Sequence, residues 1–150
     1  MPLAIKPADN ETYLDDLVEQ LKIHEGYRAK TYHCTADELT IGIGFRVEDL
    51  SLDLDICEEI LKRKLLQQED ELRSNFNWFD ALPKKAKIVL MDMLYNLGLP
   101  TLKKFKKTLG YIKDGDWKDA SLEMLDSRWA RQVGNRATNL SKLMASIEDD

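Results

Sequence analysis

The chain has 150 residues, 43% hydrophobic and 33% charged, ordinary proportions for a folded domain that exclude a disordered or collagen-like polymer. At this length one domain buries roughly two-thirds of its unfolded surface without a disulfide or metal staple, and no apolar run approaches the roughly 18 residues of a bilayer crossing, so no stable membrane insertion is expected. The net charge of −5 argues against a nucleic-acid partner, but it is unevenly spread: residues 1–80 hold 9 Lys/Arg against 18 Asp/Glu, whereas residues 81–136 hold 12 against 6.

Asn10 is an N-cap candidate, after which Leu14, Leu17, Val18 and Leu21 recur at i, i+3, i+4 and i+7, one face of a helix running to about His24. Gly26 stops that helix and leaves Glu25 at its C-terminus. The period then changes. Thr31–Cys34 and Leu39–Phe45 are β-formers on either side of Thr35-Ala36-Asp37-Glu38, which predicts a small two- or three-stranded hairpin. Gly42 and Gly44 weaken a strand unless it bulges there or another group comes close.

Ser51 or Asp53 is expected to cap a long, mostly solvated helix over about 53–74, with Ile56, Ile60, Leu61, Leu65 and Leu72 at helical spacing. Pro83 suits the N1 position of a helix over 83–97 that is apolar nearly all round, the expected central buried helix, ended by Gly98 and Pro100. Three further helices are expected over about 101–113, 115–130 and 134–146. The fold class is therefore α+β, predominantly α. One domain over 1–150 would comprise an N-terminal lobe of about 12–60 and a C-terminal helical lobe of about 76–146, joined by the 53–74 helix. A cleft between such lobes is the natural ligand site.

Cys34 and Cys57 lack paired metal-ligand spacing, so both are expected as free thiols and no metal is expected. The N-terminal residues carry no basic cluster and no apolar h-region, so no secretory signal is expected.

Glu25, Cys34 and Thr40 are the polar residues whose spacing sets a helix-end carboxyl beside a thiol and a hydroxyl of the hairpin. Taken singly they also read as a solvated glutamate, a buried small hydrophobe and a β-former. The whole run, His24-Glu25-Gly26-Tyr27-Arg28 through Cys34 to Thr40-Ile41-Gly42-Ile43-Gly44, resembles the phage-type lysozymes of glycoside hydrolase family 24. The resemblance continues through Tyr95-Asn96-Leu97-Gly98, Gly115-Asp116-Trp117, Ser127-Arg128-Trp129 and Asn135-Arg136-Ala137, covering about residues 12–143.

The resemblance implies a lysozyme-like two-lobed fold and hydrolysis of the β-1,4 bond between N-acetylmuramic acid and N-acetylglucosamine in peptidoglycan. Glu25 is the implied general acid. Cys34 and Thr40 would position and activate water, in a family that alternates Asp and Cys at the first of these positions, and an inverting outcome is expected. Tyr95, Asn96, Thr108 and Arg136 are the implied substrate-binding residues, Arg136 packing toward Glu25. Tyr95 reads equally as a buried aromatic. Phe45 stands where members of the family carry a histidine. The resemblance implies an endolysin without a cofactor; the lack of a secretory signal points to one that waits in the host cytoplasm until a holin gives it access to the wall, and a two-lobed cleft suits a monomer. The alternative is a degenerate lysozyme domain that binds peptidoglycan or a protein without cutting.

Overall fold

A computed structural model describes residues 11–148, so the expected cap Asn10 lies outside the described residues. Backbone packing divides the chain into two compact units, Met1–Glu58 and Glu59–Asp150.

The first unit opens with α1 (Glu11–Glu25) and continues into a three-stranded antiparallel sheet, β1 (Arg28–His33), β2 (Leu39–Gly42) and β3 (Phe45–Arg46), in that order. Tyr32 pairs with Thr40, and Thr40 with Arg46. The β1–β2 turn is closed by Asp37 N donating to Cys34 O at 2.8 Å and Cys34 N to Glu38 O at 3.0 Å. Asp37 takes φ 58° there, the left-handed residue that such a three-residue hairpin loop requires and that Asp tolerates better than most side chains. Among the described residues of this unit only Thr40 is fully buried; Leu17, Val18 and Leu21 of α1 keep 36%, 49% and 40% of their surface.

The long helix α2 (Leu54–Asn75) crosses from one unit into the other. Asp53 stands at its start, the Asp53 carbonyl accepting Cys57 N at 3.0 Å, and only Leu72 of the helix is buried. Its last turn is tied down by Arg73, which donates to Asp80 (2.7 Å), Glu69 (2.8 Å) and Asp70 (3.1 Å).

In the second unit α3 (Lys84–Leu97) starts one residue later than expected, with Pro83 at the N-cap. It is buried along one face (Ala86, Val89, Leu90, Met93, Leu94) rather than all round: Ile88 keeps 44% and Tyr95 48% of their surface. The expected helix over 101–113 is two, α4 (Leu99–Leu102) and α5 (Lys106–Asp114). The chain leaves helical geometry at Phe105 (φ −79°, ψ 56°), which brings that ring edge-on to Trp129 at 6.1 Å between centroids. Gly98 caps the end of α3 as expected, and Pro100 beyond it lies in the first turn of α4. The expected helix over 115–130 is likewise divided into α6 (Trp117–Leu125) and α7 (Arg128–Val133). Ser127 caps α7, its Oγ accepting Ala130 N at 3.0 Å and donating to Met124 O at 2.7 Å. The last helix is α8 (Asn135–Ala145).

The core of this unit joins Leu72 and Phe79 to the buried faces of α3–α8, with Leu90, Met93, Leu102, Ile112, Met124 and Met144 fully enclosed. Within it Ser121 and Ser141 share a hydrogen bond of 2.9 Å, and Ser141 Oγ also donates to Ser121 O at 3.1 Å. Ser141→Ala is expected to cost about 1–2 kcal/mol in urea unfolding, because it strands the buried Ser121 hydroxyl, whereas the double alanine variant is expected to lie closer to wild type.

Candidate active site

Glu25 is the last residue of α1, which ends because Gly26 takes φ 74° and closes the helix with Gly26 N on Lys22 O at 2.9 Å. The Gly42-Ile43-Gly44 turn then brings the sheet backbone against this helix end. A Cβ added to Gly44 would lie 2.6 Å from Glu25 Oε2, and one added to Gly42 would lie 2.8 Å from the Phe45 ring. Both glycines mark close approaches, one by a carboxyl and one by an aromatic ring. Val18, Leu21, Glu25, Ile43, Gly44 and Phe45 line a cavity of about 310 Å³, in which Glu25 is exposed and its neighbours are mostly apolar.

The thiol and hydroxyl of the hairpin are also brought together. Thr40 is 2% exposed and its Oγ1 donates to Glu38 O at 2.9 Å. Cys34 is half-buried, its sulfur facing the backbone N–H groups of Glu38 and Ala36. The Glu38 amide, then the Ala36 amide, hold the thiol below its ordinary range, against the opposing effects of partial burial and the Glu38 carboxylate. His33 turns to Asp37, Nδ1 to Oδ1 at 3.4 Å.

The four implied substrate-binding residues belong to the second unit. Tyr95 and Arg136 line a cavity of about 660 Å³ with Leu61, Leu65, Ile88 and Met91. Asn96 is exposed at the end of α3, and its Oδ1 accepts Trp129 Nε1 at 2.7 Å, so the amide is held in one orientation. Arg136 donates from Nε to Asp92 Oδ1 at 2.7 Å and from Nη2 to Asp92 O at 3.3 Å. Thr108 is different. It is 2% exposed on α5 and meets a cavity of about 460 Å³ lined also by Lys104, Phe105, Lys106 and Lys107, so it offers a ligand no more than an edge of its side chain. Asp92, which orients Arg136, carries no signal in the sequence, and Trp129, which stands in the Ser127-Arg128-Trp129 run, gives no sign there that it orients Asn96. The partners lie 44 and 33 residues apart, and no local spacing links them. Among the described residues no group of three or more His, Cys, Asp or Glu could hold a metal ion, and no helix is long and apolar enough to cross a membrane.

The phage lysozyme family model matches residues 22–145. The chain belongs to the phage lysozyme family. Among curated members it is similar to probable T4-type lysozyme 2 of Dictyostelium discoideum, 23% identical over 156 residues covering 85% of this chain and 92% of that protein. Probable T4-type lysozyme 1 of the same organism is 24% identical over the same shares. The pre-baseplate central spike protein Gp5 of Enterobacteria phage T4 is 24% identical over 172 residues, covering 95% of this chain and 30% of that longer protein. The phage lysozyme match begins three residues before Glu25 and ends at the last residue of α8, so it takes in both the first-unit site and the helical unit. The protein is accordingly of the lysozyme-like glycoside hydrolase type.

Proposed function

We propose that the protein is an endolysin muramidase, which hydrolyses the β-1,4 bond between N-acetylmuramic acid and N-acetylglucosamine of bacterial peptidoglycan and so lyses the host cell. The observation that carries this reading is the seat of the Glu25 carboxyl against Gly44, in the same small unit as the Cys34–Thr40 pair. Glycoside hydrolysis needs an acid for the leaving oxygen and a group that activates water on the opposite face of the sugar. Glu25 donates its proton to the glycosidic oxygen as the C1–O bond breaks. Cys34 holds the water that attacks C1, with Thr40, 2% exposed and donating its proton to Glu38 O, presenting only an edge of its oxygen to that water, and the thiolate favoured by the Glu38 and Ala36 amides accepts the water's proton. Tyr95, Asn96 and Arg136 contact the glycan and its peptide, Thr108 contributing its edge. The enzyme works as a monomer, without cofactor or metal, and reaches the wall when a holin opens the inner membrane.

Digestion of purified Gram-negative sacculi tests the reading. The expected products carry reducing N-acetylmuramic acid ends by mass spectrometry, and the first-formed anomer, followed by NMR, is α. A 1,6-anhydro product would instead assign a transglycosylase. Tight binding to sacculi with no reducing ends would assign the non-cutting domain, a reading favoured by the thiol that stands where a carboxylate would serve as base.

A further inference from the structure

The turn that carries Cys34 is clamped from outside. Arg46 on β3 meets the Glu38 carboxylate with two nitrogens, Nη2 to Oε1 at 2.7 Å and Nε to Oε2, and its Nε lies 3.5 Å from Asp49 Oδ2. The pairing of β2 with β3 sets Arg46 directly across from Thr40. Glu38 is also the backbone hub of the site: its carbonyl accepts both Cys34 N (3.0 Å) and Thr40 Oγ1 (2.9 Å), and its N–H faces the Cys34 sulfur. A two-nitrogen guanidinium fork holds a carboxylate in one plane, which a single ammonium does not. The fork therefore ties the Glu38 carboxylate to β3 and restrains the turn that carries it.

We propose that Arg46 and Glu38 are positioning residues: their ion pair fixes the 34–38 turn so that its peptide N–H groups stay aimed at the Cys34 sulfur while its Glu38 carbonyl holds the Thr40 hydroxyl. The consequence for catalysis rests on the function proposed above; the consequence for the thiol does not. The charged or titratable groups on the surrounding elements are Arg28, Lys30, Tyr32 and His33 on β1, Asp37 and Glu38 in the turn, Arg46 on β3, and Glu48 and Asp49 after it, with Arg28 over the Tyr32 ring.

Charge alone and positioning make opposite forecasts. The Glu38 carboxylate by itself opposes ionisation of the thiol, so if only charge mattered Glu38→Ala would make Cys34 more reactive and Arg46→Lys would change nothing. If the clamp positions the turn, both variants make Cys34 less reactive. The test is iodoacetamide alkylation of the full chain across pH, each cysteine followed by mass spectrometry, with the exposed Cys57 as the internal reference for reagent reactivity and the urea unfolding midpoint of each variant as the check that the fold is intact. The expected result is an upward shift of the Cys34 profile by about half a pH unit in each variant, or about threefold slower alkylation near pH 7. The double variant is expected to shift no further than either single one, and the alkaline arm of the activity profile to move with the thiol. An unchanged Cys34 profile in Arg46→Lys, or a downward shift in Glu38→Ala, overturns the proposal. Absence of lysis in wild type would instead sink the muramidase reading and leave the thiol result standing.

Discussion

Glu25→Gln is expected to lower kcat on permeabilised Gram-negative cells by about 10³-fold or more while KM and stability stay near wild type, read by loss of turbidity and release of reducing ends. Glutamine keeps the size of the side chain and its contact with Gly44 but has no proton to give. Among the described residues Glu25 enters no ion pair and no side-chain hydrogen bond, so its replacement removes no native interaction of that kind. A carboxylate at the C-terminus of α1 instead opposes the helix dipole, and its neutralisation is expected to stabilise the fold by about 0.3 kcal/mol. Activity and stability thus move in opposite directions, the pattern of a residue kept for its chemistry rather than for the fold. Equal lysis by the two proteins would remove Glu25 from the reaction.

The first unit was the more legible part of the chain because its signals are local. A glycine after an amphipathic stretch puts Glu25 at a helix end, and the β-formers around Thr35–Glu38 mark the hairpin that carries Cys34 and Thr40. The same arithmetic did not reveal that Asp37 would take the left-handed position, nor that Glu38 would tie the thiol and hydroxyl together, since backbone peptide groups leave no trace in residue identity. In the second unit periodicity misled. Leu102, Phe105 and Leu109 keep helical spacing across the break at Phe105, and Leu122, Leu125 and Trp129 do so across the break at Ser127. Packing of Phe105 on Trp129 accounts for the first break. The second had a legible sign, a serine able to cap a helix, whose Oγ accepts the Ala130 amide three residues on, but the apolar spacing outweighed it. The burial of Thr108 and Thr40, 2% exposed each, was not legible either, because family resemblance specifies a position along the chain but not how deeply its neighbours cover it.

The seat of Glu25 depends on a missing side chain, and adding one should be nearly as damaging as removing the acid. In Gly44→Ala the new Cβ falls 2.6 Å from Glu25 Oε2, 3.0 Å from its Cδ and 3.2 Å from its Cβ. Rotation of the carboxyl relieves the first of these contacts only by moving the acid itself out of its seat, while the last asks the helix end and the turn to part by no more than a few tenths of an ångström. A displacement of about 1 Å at a reacting group costs on the order of 10²-fold in rate. The substitution also forces a non-glycine residue to φ 70°, at a cost of roughly 1–2 kcal/mol in stability. Gly115→Ala separates the two effects. Gly115 has φ 79° and an added Cβ would meet only Trp117 at an ordinary 3.8 Å, so it carries similar backbone strain in the helical unit with no carboxyl to displace. The expected outcome is a comparable fall in melting temperature for both variants, with the roughly 10²-fold loss of kcat confined to Gly44→Ala. If both variants lose activity only in proportion to the fraction unfolded, the contact between Gly44 and Glu25 serves packing and the carboxyl finds its working position by other means.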